Sequence, residues 1–182
     1  NDSTNPSSFL SNGNAGGLNL CDVGSASSTI SFHIGNCEPD GYEPDNTSGS
    51  AQWIYSGTPQ NHNIRPSSDI DWVKFTVPTD SAILLQTSGI TNSDTRMWLY
   101  NSSLGEIEYD DDDGSNLYSR IDRMCNVDSL PAGTYYIKID SFANASTISN
   151  YTLSFKSSPC PSASIDVRIA NNWQGSYLLA PS

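Results

Sequence analysis

Two copies of one acidic phrase, Glu38-Pro39-Asp40 and Glu43-Pro44-Asp45, share the stretch EPDGYEPDNTSGSA at residues 38–51. Carboxylates at this density suit one kind of chemistry, the holding of divalent cations. Calcium takes about six to eight oxygens, at roughly 2.3–2.6 Å, from carboxylates, amides, carbonyls and water. The same residues also suit a polar linker with a solvated carboxylate face, and composition alone does not choose between the two. A second acidic run, Asp110–Asp113 in EYDDDDGSN, fails as an EF-hand loop. Asp111, Asp113 and Gly114 fall in register, but Tyr109 stands where the first ligand belongs and Arg120 where the closing Glu belongs. Four adjacent like charges read instead as an exposed hairpin tip.

Catalytic chemistry finds little to work with. There are two histidines, His33 and His62, and no Gly-x-Ser-x-Gly, His-Glu-x-x-His or phosphate-cradling glycine loop. The expectation is a chain that is not an enzyme. A pair of glycosidase carboxylates needs only a spacing of about 5–10 Å across a cleft and leaves no motif.

The elements that must position these residues follow from composition and period. A chain of 182 residues can bury one sizeable core with appendages. Its 20 acidic against 8 basic residues give a net charge of -12, which repels nucleic acid and anionic membranes and attracts cations. No apolar run is long enough to span a bilayer. The opening NDSTNPSSF lacks Met and reads as a mature or excised product.

The four cysteines, Cys21, Cys37, Cys125 and Cys160, allow three pairings. The favoured one joins Cys21 to Cys37, which bracket the strand-like TISFHI, and Cys125 to Cys160, tying mid-core to the last strand. Asn1, Asn46, Asn101, Asn144 and Asn150 each begin a glycosylation sequon. Disulfides and sequons together place the chain outside the cell.

Alternation of period two runs through the middle of the chain. Val73, Phe75 and Val77 share a face, as do Ile83 and Leu85, Met97 and Leu99, Tyr135, Ile137 and Ile139, and Tyr151, Leu153 and Phe155. Short strands bounded by polar turns predict an all-β antiparallel sandwich. Trp72 and Trp98 fall on the opposite parity to Val73 and Leu99 and are expected to point away from the core. With Trp53, Tyr55, Tyr100 and Tyr109 they are candidates for a platform that stacks on sugar or packs against protein.

The order EPDNTSGSA, SDIDWVKFTV, SDTRMWLYNSSLGEIEYDDDDG, LPAGTYYIKI, NYTLSF resembles the bacterial pre-peptidase C-terminal domain over about residues 43–156. The resemblance implies a jelly-roll-like β-sandwich serving as a non-catalytic accessory in secreted, multidomain prokaryotic proteins. Collagen-binding relatives use calcium, and position by position they imply a metal set of Glu43, Asp45, Asn46, Asp69 and Asp71. One departure is that Asp45 precedes Asn46 where the family order is the reverse, and Asn46 also begins a sequon.

The expected organisation is an N-terminal extension at 1–37, an acidic linker at 38–50, the sandwich at 51–156 and a C-terminal extension at 157–182. In the last, ASIDVRI alternates Ile165, Val167 and Ile169 with charged residues, strand-like sequence after the sandwich is complete. It could dock on a sheet edge of a neighbouring copy. The function expected first is therefore a structural subunit of an extracellular or cell-surface fibre built by strand docking between copies, with a calcium-supported carbohydrate- or protein-binding accessory module of a secreted multidomain hydrolase as the alternative.

Overall fold

A computed structural model describes residues 20–21, 29, 33–34, 39–89, 93–144 and 146–161. Near the start, β1 (Leu20–Cys21) pairs antiparallel with β2 (His33–Ile34). The rest is a sandwich. Its five-stranded sheet runs in the order β3 (Gln52–Trp53), β5 (Asp71–Val77), β10 (Gly133–Ser141), β7 (Thr95–Tyr100), β8 (Glu106–Asp110). The four-stranded sheet has the order β4 (Gln60–Ile64), β11 (Ile148–Pro159), β6 (Ser81–Gly89), β9 (Arg120–Arg123). All pairings are antiparallel except that of β3 with β5.

The alternation read from sequence sets which face of each strand goes inward. Val73, Phe75, Met97, Leu99, Ile137 and Ile139 from one sheet meet Ile83, Leu85, Ile121, Tyr151, Leu153 and Phe155 from the other in one buried cluster. Each such side chain contributes about 1.5–3 kcal/mol on leaving water. Phe75 and Phe155 touch across the two sheets with ring centroids 4.3 Å apart.

Polar contacts add a second weld that periodicity does not show. Thr87 and Thr95 share a hydroxyl–hydroxyl bond of 2.7 Å, and the Ser119 N–H donates to Thr87 Oγ1 at 2.9 Å. The three residues are buried, so this network joins β6, β7 and the approach to β9 out of water.

The acidic run Asp110–Asp113 is not a hairpin tip. β8 and β9 lie in different sheets, so the segment after Asp110 is a crossover. Asp110 is buried at its start, where its Oδ2 accepts the Arg120 N–H at 2.6 Å and the Asp113 N–H at 3.3 Å. Four like charges in a row therefore play different parts. The first carboxylate satisfies backbone donors of the crossover, while Asp112 and Asp113 face solvent.

Cys125 and Cys160 form a disulfide with Cα atoms 5.4 Å apart, joining the turn after β9 to the end of β11. Closing a loop with a sequence separation of 35 constrains the unfolded chain by roughly 3–4 kcal/mol. Cys37 and the side chain of Cys21 lie outside the described residues, as do Asn1, the side chain of Asn144, and Ile165, Val167 and Ile169. Among the other sequons, Asn46, Asn101 and Asn150 are exposed. Asn101 Oδ1 accepts the N–H groups of Ser103 and Gly105, each at 2.9 Å, and so builds the β7–β8 turn.

The outward face of the five-stranded sheet is aromatic and cationic. Trp72 and Trp98 do point away from the core, each half-buried among neighbours on that face. Trp72 stacks on Tyr100 with centroids 5.4 Å apart, and Trp98 tilts against Tyr109 at 5.0 Å. Lys138 Nζ lies 4.0 Å from the centre of the Trp98 ring, and Lys74 Nζ lies 5.0 Å from that of Trp53. Asp140 holds the cations in place, accepting from Arg96 Nε at 2.8 Å with Lys138 Nζ at 3.4 Å.

Candidate metal centre

The segment before β3 crosses one end of the sandwich and is held there by its own backbone and carboxylates. The Trp72 N–H donates to the Asp45 carbonyl at 3.0 Å, which lays the acidic stretch beside the start of β5. Asp40 Oδ2 accepts the Asn63 N–H at 2.7 Å, and Asp40 Oδ1 accepts the Tyr42 N–H at 2.9 Å. From the loop between β4 and β5, Asp69 Oδ2 accepts the Arg65 N–H at 2.9 Å and Asp69 Oδ1 accepts the Ile70 N–H at 3.0 Å. Asp71 opens β5 with its side chain pointing inward.

These contacts bring acids together from three parts of the chain. Ligand oxygens of Glu43, Asp69 and Asp71 lie within 4.8 Å of one another. Two oxygens on opposite sides of one calcium ion are separated by about 5 Å, so this spacing fits a shared ion. Asp45 is 1% exposed, and neither of its carboxylate oxygens has a hydrogen-bond partner. Asp71 is fully buried, with Oδ1 likewise without a partner while Oδ2 accepts the Tyr151 hydroxyl. A buried carboxylate left in this state costs several kcal/mol unless it is protonated or paired with a cation.

The electrostatics point the same way. Burial, and then the charges of Glu43, Asp40 and Asp69, push the Asp45 carboxyl up to about 8. Burial also raises Asp71 well above the carboxylate range, with Asp45, Asp69 and Asp40 adding repulsion against the lowering effect of the Tyr151 hydrogen bond. Glu43 is raised too, first by burial and then by Asp69 and Asp40. Crowded like charges disfavour one another, and a divalent cation reverses that preference.

Of the five positions implied by the family resemblance, Glu43, Asp69 and Asp71 meet as a group. Asp45 lies within electrostatic reach of them. Asn46 stands apart. Its side chain is exposed, its Oδ1 accepts the Ile70 N–H at 3.1 Å, and its Nδ2 donates to Glu43 Oε2 at 3.4 Å. Here it ties the acidic segment to the start of β5 and to Glu43.

Three neighbours escaped the sequence reading. Asp40 belongs to the repeated Glu-Pro-Asp phrase, and the repeat was the signal available. His62 lies on the inward parity of β4 with Gln60 and Ile64, and Tyr151 was legible only as core. Tyr42 and Tyr151 flank the His62 ring, with centroids 4.4 and 5.6 Å away. Burial lowers the His62 imidazole to about 4, against a raising effect from Asp40.

Residues 69–141 match the family model described as the bacterial pre-peptidase C-terminal domain. Among solved structures, the chain is similar to the pre-peptidase C-terminal domain of collagenase from Bacillus anthracis. The identity is 17%, the match covers 58% of this chain and 94% of that one, and the TM-score is 0.48. None of the curated proteins matches. No helix among the described residues is long and apolar enough to cross a membrane.

Proposed function

We propose that this chain, whose residues 69–141 match the bacterial pre-peptidase C-terminal domain, is a calcium-supported, non-catalytic binding module of an exported protein. The observation that carries the calcium is Asp45, buried with both carboxylate oxygens unsatisfied and within electrostatic reach of the group formed by Glu43, Asp69 and Asp71. These four side chains would hold the ion, with carbonyl and water oxygens completing its shell. A bound cation lets all four carboxylates stay ionised and fixes the segment before β3 against the sandwich.

The binding surface in this reading is the outward face of the five-stranded sheet, and its ligand is a polysaccharide. Sugar rings offer C–H faces and hydroxyls together. Trp53, Trp72, Trp98, Tyr100 and Tyr109 supply flat rings, while Lys74, Arg96 and Lys138 supply donors between them, the last two held by the buried Asp140. An apolar protein partner would instead call for aliphatic side chains, and the strands place those on the inner face. Fibre formation through Ile165, Val167 and Ile169 rests on positions outside the described residues.

Co-sedimentation with insoluble polysaccharides tests the surface. Trp98→Ala is expected to weaken retention by about tenfold, the loss typical of a central aromatic anchor. Its fold and calcium response should be unchanged. Retention of Trp98→Ala and Trp53→Ala equal to the parent on every polysaccharide that binds would remove this face from the account.

A further inference from the structure

One histidine in the acidic centre is oriented in a way that carboxylates alone do not explain. Gln60 Nε2 donates to the Trp53 carbonyl at 2.9 Å, which turns Gln60 Oε1 toward His62 Nε2, 3.3 Å away. An amide oxygen only accepts, so Nε2 carries the proton, and in the neutral ring Nδ1 is left with a lone pair. That lone pair has no hydrogen-bond partner and is buried on a side chain that is 1% exposed. It faces Asp40 Oδ2 at 3.7 Å and Asp71 Oδ2 at 3.9 Å. Three electron-pair donors converge: the two carboxylate oxygens also accept the Asn63 N–H and the Tyr151 hydroxyl, while the His62 lone pair has no donor.

We propose that Asp40, His62 and Asp71 form a second, nitrogen-containing cation subsite for a first-row transition ion such as Zn2+, sharing Asp71 with the carboxylate subsite. Ligand atoms of the three lie within 4.8 Å of one another. Around a tetrahedral zinc ion, nitrogen and oxygen ligands stand roughly 3.4 Å apart, so the two nitrogen–oxygen spacings of 3.7 and 3.9 Å would close by about half an ångström or less. Imidazole suits zinc and its neighbours, whereas calcium prefers oxygen. Gln60 is the positioning residue, holding the far nitrogen as outer partners of metal-bound histidines do. Asp71 suits a bridge: its Oδ1 has no hydrogen-bond partner, and its Oδ2, which accepts the Tyr151 hydroxyl, lies 3.9 Å from His62 Nδ1. The subsite deepens the cation reading above through Asp71 but does not require calcium.

The test uses the full chain stripped with chelator, saturated with calcium and titrated with Zn2+, and then loaded with Co2+ as a spectroscopic substitute. One Zn2+ is expected to bind without displacing calcium. The Co2+ form is expected to show a paramagnetically shifted, exchangeable imidazole N–H proton from the Nε2–H that Gln60 holds. His62→Asn should abolish both while keeping calcium-site occupancy, read by Tb3+ luminescence. Gln60→Ala should weaken Zn2+ by about 10–100-fold. A His33→Asn control should change neither. Displacement of calcium by Zn2+ one for one, or an unchanged Zn2+ affinity in His62→Asn, would overturn the proposal. Should His62→Asn fail to fold, the shifted proton in the parent protein decides by its presence or absence. Failure of the calcium reading shows separately, as loss of Tb3+ luminescence with the Zn2+ signals intact.

Discussion

Asp45→Asn is expected to stabilise the calcium-free protein and to remove its response to calcium. Asp45 is pushed up to about 8 in the folded state by burial and by Glu43, Asp40 and Asp69. In the unfolded chain it titrates near 3.9. A raised folded value stabilises fully below the unfolded value, and this stability is lost as pH rises from about 4 to about 8. At pH 7 the loss amounts to about 4 kcal/mol. Asn has no charge to desolvate and resembles the protonated acid in shape, so the variant avoids most of that loss. Denaturant unfolding in chelator at pH 7 should therefore show Asp45→Asn more stable than its parent, with a flatter pH dependence. A variant less stable than the parent under those conditions would mean that Asp45 has a partner in the ion-free protein.

Calcium should restore to the parent what ionisation takes away. An ion that binds only the folded state stabilises by about 4 kcal/mol at a thousandfold excess over its dissociation constant. For a domain of this size that corresponds to roughly 10 °C in the unfolding midpoint. Because the ion takes Asp45, Asp71 and Glu43 in their charged forms, it must displace protons from them. The calcium-induced shift should thus grow as pH rises from about 5 toward about 8. Scanning calorimetry with calcium and with chelator at three pH values checks this. Equal midpoints in both solutions at pH 8 would contradict it.

Much of the fold was legible because a two-residue period is a local property. Val73, Phe75 and Val77 alternate with Trp72, Lys74 and Thr76, and each parity goes to the face its chemistry suits. What the strands pair with is not local. β10 (Gly133–Ser141) sits between β5 and β7, and no feature of its own residues names those neighbours. The crossover after Asp110 was misread for the same reason, since four acids look alike until their backbone partners are known.

The metal centre shows a similar division. Glu43, Asp69 and Asp71 came from a family pattern that follows chain order, and they do meet in space. His62 is contributed by a strand of the other sheet, and its tautomer depends on Gln60 and the Trp53 carbonyl. Such a chain of contacts cannot be read from spacing. Asn46 shows what spacing leaves out: its amide oxygen accepts the backbone N–H of Ile70, a partner 24 residues away.

The central claim is that Glu43, Asp45, Asp69 and Asp71 hold calcium. Isothermal titration of chelator-stripped full chain with calcium at pH 7, in buffers of different ionisation enthalpy, addresses it most directly. The expected result is saturable binding with release of about one proton from Asp45 and a further contribution from Asp71, strongly weakened in Glu43→Gln. No saturable binding at millimolar calcium, or an identical isotherm for Glu43→Gln, would contradict it.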